Sequence, residues 1–112
     1  MHVFSDVHKL KKAGDFSSVF IFRKVKSGLY LKIHFKPNQL ANSRLGLVVS
    51  KKIAKRANRR NYMKRLIREL FRQNQASWNG FDLIVRVVKA FEHQDYKQVM
   101  QEFLDLTNQF NR

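Results

Sequence analysis

The sequence predicts an α/β domain: a small mixed sheet of about four strands with helices packed on it, in the order α-β-β-β-α-β-α. Three observations carry this. LYLKIHFKP (29–37) alternates strictly, with Leu29, Leu31, Ile33 and Phe35 on one face and Tyr30, Lys32, His34 and Lys36 on the other, as a half-buried strand does. RLGLVVS (44–50) and FDLIVRVV (81–88) are nearly continuous in apolar residues, as strands covered on both faces are. Around them, apolar residues recur at helical spacing.

In chain order, GDFSSVFIF (14–22) reads as a short helix opened by Gly14 or Asp15, with Phe16, Val19 and Phe20 sharing a face. Arg23–Lys26 can add an edge strand, and Gly28 punctuates. The alternating strand ends at Pro37, and a polar loop runs to Ser43. RLGLVVS is expected in the centre of the sheet. A basic helix over 57–73 follows, with Asn58 as its cap. Asn79-Gly80 marks a turn before the third long strand. The last helix starts near Tyr96, where Asp95 and Gln98 resemble a capping box, and Tyr96, Val99, Phe103, Leu106 and Phe110 repeat along one side.

Composition narrows the function. The chain has 112 residues, the size of one domain spanning 1–112, and 44% of them are apolar, enough for a modest core. The net charge is +15, from 23 basic and 8 acidic side chains. Such an excess calls for a polyanionic partner, nucleic acid before an anionic membrane surface. The absence of Cys removes disulfides, Cys-based zinc sites and thiol nucleophiles and fits a reducing cytoplasm. MHVFSDVHKLKK lacks an apolar run of signal-peptide length, and no stretch approaches the roughly 18–20 apolar residues of a membrane span. The expectation is a soluble intracellular protein.

The charge is concentrated. Residues 51–72 hold ten Lys or Arg against Glu69 alone. On a wheel of about 100° per residue, Met63, Leu66, Ile67, Leu70 and Phe71 form an arc for the sheet. Asn61, Lys64, Arg65, Arg68 and Arg72 form a neighbouring cationic stripe. With Glu nearly absent, i,i+4 Glu–Lys pairs cannot neutralise it, and like charges at 64/68 and 68/72 cost stability unless an anion lies over them. Arg60 falls near the apolar arc and is expected to reach across the end of the sheet. Lys51 and Lys52 leave the second strand just before the helix, so strand end and helix start converge on a positive corner suited to phosphates.

These residues resemble a known family. SKKIAKRANRRNYMKRLIRELFR (50–72) is similar to the signature of the bacterial ribonuclease P protein component, a strand ending in Lys-Lys followed by a helix carrying Arg-Asn-Arg, Lys-Arg and a further Arg. Lys51 and Lys52 match the first element. Arg60 and Asn61 match two of the triplet, and Lys64, Arg65 and Arg68 match the rest. Tyr62 stands where the family usually has the third Arg and leaves room for a stacking contact. LKKAGDFSSVF (10–20), LGLVVSKK and FDLIVRVVK extend the likeness almost end to end.

The resemblance implies the RNA-binding subunit of a ribonucleoprotein endonuclease, a hydrolase that removes the 5′ leader from precursor tRNA. Its RNA subunit is the catalyst, uses Mg²⁺ bound mainly by RNA, and carries one protein; the protein alone is not catalytic. It also implies a left-handed crossover around the basic helix, where the general expectation is right-handed. The helix, through Arg56, Arg60, Asn61, Tyr62, Lys64, Arg65, Arg68 and Arg72, would face the catalytic RNA. A cleft between the first helix and the sheet, lined by Phe16, Phe20, Lys32, His34, Lys51 and Lys52, would hold the leader. Read from spacing alone, Phe16 and Phe20 serve equally as core, and Lys32 and His34 as an exposed strand face.

Independent catalysis finds no support. The acids are dispersed: Asp15 and Asp95 read as caps, Asp82 opens a strand, and Glu92, Glu102 and Asp105 lie mostly on the outer side of the last helix. His2, His8, His34 and His93 are spread out, without metal-ligand spacing. The alternative is a ribosomal-type or chaperone-type RNA-binding protein of similar fold. A membrane-surface module is weaker, because the sheet already uses the apolar arc.

Overall fold

The alternation in 29–37 becomes a strand only from Leu31, because an acidic side chain from the last helix intervenes just before it. The computed structural model describes residues 9, 10 and 12–108. Its elements are α1 (Ala13–Phe22), β1 (Val25–Ser27), β2 (Leu31–Pro37), β3 (Arg44–Val48), α2 (Ala57–Asn74), β4 (Phe81–Val87) and α3 (Tyr96–Thr107), with short 3-10 turns at Gln75–Trp78 and His93–Asp95. The predicted order holds, including the edge strand after α1.

The sheet order is β1-β2-β4-β3, with β1–β2 and β2–β4 antiparallel and β3–β4 parallel. Thus α2 lies within the connection between two adjacent parallel strands. Apolar continuity misplaced β3, which is an edge strand and not a central one. Its outer edge is covered at one point by Lys9–Leu10, where the Leu10 N–H donates to the Leu45 carbonyl at 3.0 Å. That cover and the two flanking layers bury Leu45 as a central position would be buried.

The two faces carry different loads. Leu31, Ile33, Leu83, Val85 and Val87 pack with Met63, Ile67, Leu70 and Phe71 of α2 and with Val99 and Phe103 of α3. Trp78 stacks on Phe71 at 5.5 Å and meets Phe103 edge-on at 5.2 Å. Each fully buried apolar side chain here contributes roughly 1.5–3 kcal/mol. The opposite face holds a smaller cluster of Leu10, Val19 and Ile84, joined by Phe16 and Val48. One helix cannot cover this face, so part of it stays open.

Tyr30 was expected on the polar face and is instead buried in the main core, edge-on to Phe91, its hydroxyl donating to Gln98 Oε1 at 2.9 Å. The Leu29, Tyr30 and Leu31 N–H groups all donate to the Glu102 carboxylate, at 2.7, 2.9 and 2.7 Å. Glu102 therefore points inward, against the expectation of an outer position, and ends the alternation before Leu31. Leu29 lies outside the strand and is exposed. Gly28 makes the approach possible, since a Cβ there would stand 2.4 Å from Glu102 Cδ.

The helix starts also differ from expectation. The Arg56 carbonyl accepts the first α2 bond, which places Asn58 inside the helix, not at its cap. Asp95 precedes α3 but makes no cap bond to it; Asp95 and Glu92 instead cap the preceding 3-10 turn, where Asp95 Oδ2 accepts from the Glu92 N–H at 2.9 Å. Lys12 holds the N-cap position of α1 without a side-chain bond, and Asp15 sits in the first turn, where negative charge suits the helix dipole. Asp82 is buried inside β4 as the acceptor of a two-pronged Arg44 contact at 2.8 and 2.7 Å. Phe110, His2 and His8 lie outside the described residues.

Candidate nucleic-acid interface

The surface of α2 follows from its wheel. Met63, Ile67, Leu70 and Phe71 are buried on the sheet, with Leu66 half-buried beside them. Asn61, Arg65 and Arg68 are exposed and Lys64 is half-exposed one turn apart along the flank. Among the described residues, Lys64, Arg65 and Arg68 have no acidic partner and no side-chain hydrogen bond. Three unpaired cations on one helix flank form a surface that an anion completes.

The rest of the predicted set divides. Arg72 does not extend the free stripe: its Nε donates to Glu69 Oε2 at 2.9 Å and a second contact joins the same carboxylate, raising the Arg72 pKa and lowering that of Glu69. The i,i+3 spacing supplies the pair that i,i+4 counting had excluded. Arg60 does not cross the sheet end. It turns back onto the connection from β3, donating to the Ala54 and Lys55 carbonyls at 2.9 and 2.8 Å. Its charge thereby fixes the loop that carries Lys51, Lys52 and Arg56, all exposed. Tyr62 packs against the main core near Phe91 and its hydroxyl is buried, so its ring is not offered as a free stacking platform.

The open part of the α1 face forms a second surface. Strand alternation puts Lys32, His34, Ile84 and Arg86 on this side, with Lys32 opposite Arg86 and His34 opposite Ile84. Phe20 leans on His34 edge-on at 4.8 Å. Phe20 is 38% exposed, while Val19 beside it is fully buried. The helix thus buries Val19 and leaves Phe20 at the margin. His34 Nε2 is buried with no hydrogen-bond partner, and desolvation, then Arg86, then Lys32 lower its pKa. The imidazole thus lies between two cations and an aromatic edge at the margin of the open face.

Arg86 escaped the sequence reading because FDLIVRVV looked continuous. The signal was its parity with Asp82 and Ile84, which marks the face shared with Lys32. Phe16 sits apart from Phe20 and His34. It half-buries against Gly46, where a Cβ would come within 2.6 Å of its ring.

At the far end of the same face, Arg44, Asp82 and Asn38 form a closed network, with Asn38 Nδ2 donating to Asp82 Oδ1 at 2.9 Å. Asp15 of α1 approaches Arg44 at 3.8 Å, and Lys36 Nζ donates to Ser18. Their charges anchor α1 to the sheet. Among the described residues no group of His, Asp or Glu gathers in the manner of a metal site, and no helix is long and apolar enough to cross a membrane.

Comparison with known proteins identifies the family. Residues 4–111 match the family model described as Ribonuclease P. The chain is 44% identical over 103 residues to the ribonuclease P protein component of Azoarcus sp. strain BH72, covering 92% of this chain and 86% of that protein. It is 49% identical over 88 residues to the one from Chromobacterium violaceum, covering 79% and 73%. The solved RNase P protein from Thermotoga maritima superposes with a TM-score of 0.81 at 35% identity, covering 90% of this chain and 96% of that one. The chain belongs to the ribonuclease P protein component family.

Proposed function

We propose that this protein binds the RNA subunit of ribonuclease P through the flank of α2 and receives the single-stranded 5′ leader of precursor tRNA on the open face beside α1. The carrying observation is the separation of two unpaired cationic surfaces. One is regular and helical, formed by Asn61, Lys64, Arg65 and Arg68 with Arg56 in the neighbouring loop. The other mixes Lys32, Arg86, His34 and Phe20 on the sheet face beside α1. Repeated point charges suit the phosphates of a folded RNA. An aromatic edge, an imidazole and flanking cations suit a single strand whose sequence varies.

In this reading the protein makes no bond-breaking step. Magnesium chemistry belongs to the RNA, and the protein supplies substrate affinity and screens phosphate repulsion. The cell compartment is the cytoplasm, where tRNA is matured, and one protein serves each RNA. The test compares holoenzyme affinity for a precursor tRNA and for the mature tRNA, with and without the protein. The protein should raise affinity for the precursor selectively. Equal effects on both would remove the leader from the account and favour a general RNA-binding role.

A further inference from the structure

Helix α1 carries Phe20 to the open face, yet its packing alone does not fix how it is rolled about its axis. Val19 is the one buried residue of its ten, and Lys12 at its N-cap makes no side-chain bond to it. At about 100° per residue, Phe16 and Phe20 project to one side of Val19, and Asp15 and Ser18 to the other. On the first side, Phe16 lies against Gly46 and Phe20 against His34. On the second, the Ser18 hydroxyl accepts from Lys36 Nζ, and Asp15 lies 3.8 Å from the Arg44 guanidinium. Arg44 is itself held by Asp82, its Nε and Nη2 donating to the two carboxylate oxygens at 2.8 and 2.7 Å. These polar groups line a cavity of about 300 Å³ behind the helix. All are half-buried or buried, where charges are screened less than on an open surface.

We propose that Asp15, Ser18, Lys36 and Arg44 form a latch that sets the roll of α1 and thereby holds Phe20 in place for the leader. They are positioning residues: they stand on the flank turned away from the leader surface and act on it through the helix. A roll of about 20° would carry a side-chain tip, at the helix radius of roughly 5–6 Å, by about 2 Å. A binding constellation tolerates displacements of only about 0.5 Å. Releasing the latch should therefore loosen leader binding without unfolding the domain. The inference rests on the proposed function above, which puts the leader beside Phe20 and His34.

The sign of the Asp15 charge makes the test sharp. Neutralising it adds to the positive excess, so a direct electrostatic effect would tighten binding of a polyanion, whereas release of the latch weakens it. In the holoenzyme, Asp15→Asn and Ser18→Ala should each lower affinity for precursor tRNA by about threefold or more, a part of what removing the Phe20 ring costs. Affinity for mature tRNA should not change. Ser18→Thr, which keeps the hydroxyl, should behave as the native protein. In a Phe20→Ala background neither latch substitution should have a further effect, because the latch acts through that ring. Melting curves check that the variants fold, and if Asp15→Asn does not, Ser18→Ala decides. Unchanged or tighter precursor binding by the folded latch variants would overturn the inference, as would equal losses with and without the Phe20 ring. If Phe20→Ala itself spares precursor binding, the leader assignment fails and the latch falls with it. If Phe20→Ala weakens binding and the latch variants do not, the latch alone is wrong.

Discussion

Phe20 meets His34 edge-on, with ring centroids 4.8 Å apart, and the contact joins α1 to β2 at the margin of the open sheet face. It leaves His34 Nε2 buried and unpartnered between Lys32 and Arg86. An aromatic that only packed would bury more completely, as Phe71 and Phe103 do. Phe20→Ala should therefore cost the fold little and should weaken binding of leader-bearing precursor by about 1–3 kcal/mol, sparing mature tRNA. Thermal melting and substrate affinity, measured side by side, check this. Global unfolding of the variant would make Phe20 a core residue.

His34 gives the surface a pH dependence. Its folded pKa is lowered by desolvation and by the two cations, below the unfolded value of about 6.5. The unfolded chain then binds the proton more readily. Stability is lost as pH falls from about 6.5 through the folded pKa, and levels off below it. Phosphates nearby favour the imidazolium, so leader binding should take up a proton in the same window. Melting curves between pH 5 and about 7.5 should show the loss. His34→Asn should remove most of it and should flatten the pH dependence of precursor affinity.

The α2 cations should divide by their partners. Arg65→Ala and Arg68→Ala should each reduce the salt slope of RNA-subunit binding by about one unit, as a lost phosphate contact does. Arg72→Ala should change it less, because Glu69 already holds that guanidinium. Equal slopes for all three variants would show that the pair opens on binding.

Glu102 is predicted to matter for the fold and not for RNA. Its carboxylate receives three backbone N–H groups at the entry to β2, and Gly28 leaves it room. Glu102→Ala should cost roughly 2–3 kcal/mol of stability, with RNA affinity unchanged once folded. Gly28→Ala should act through the same carboxylate, so the double variant should lose less than the sum. Chemical denaturation measures both.

Elements governed by local pattern were legible in the sequence. Periodicity located α2 almost to the residue, and parity sorted β2 into faces from Leu31 onward. What failed was set by distant partners. Nothing near Tyr30 announces that Glu102 will seize the backbone beside it and turn its ring into the core. Nothing in RLGLVVS distinguishes an edge strand covered by Lys9–Leu10 from a central one. Within the candidate site, Lys64, Arg65 and Arg68 were readable as a stripe, but Arg60 and Arg72 found local carbonyl and carboxylate partners that a wheel does not weigh. Arg86 was hidden by its apolar neighbours. Phe16 and Phe20 were read as one pair, although Gly46 draws the first toward β3 while His34 holds the second over β2.

The most direct test of the central claim is reconstitution of cleavage. Purified protein is mixed with a bacterial ribonuclease P RNA and a precursor tRNA at a magnesium concentration where the RNA alone is weak, and release of the 5′ leader is followed. The account predicts that the protein restores cleavage at the mature 5′ end and that the Arg65→Ala/Arg68→Ala double variant restores it poorly. A protein that binds both RNAs yet never stimulates cleavage would contradict it.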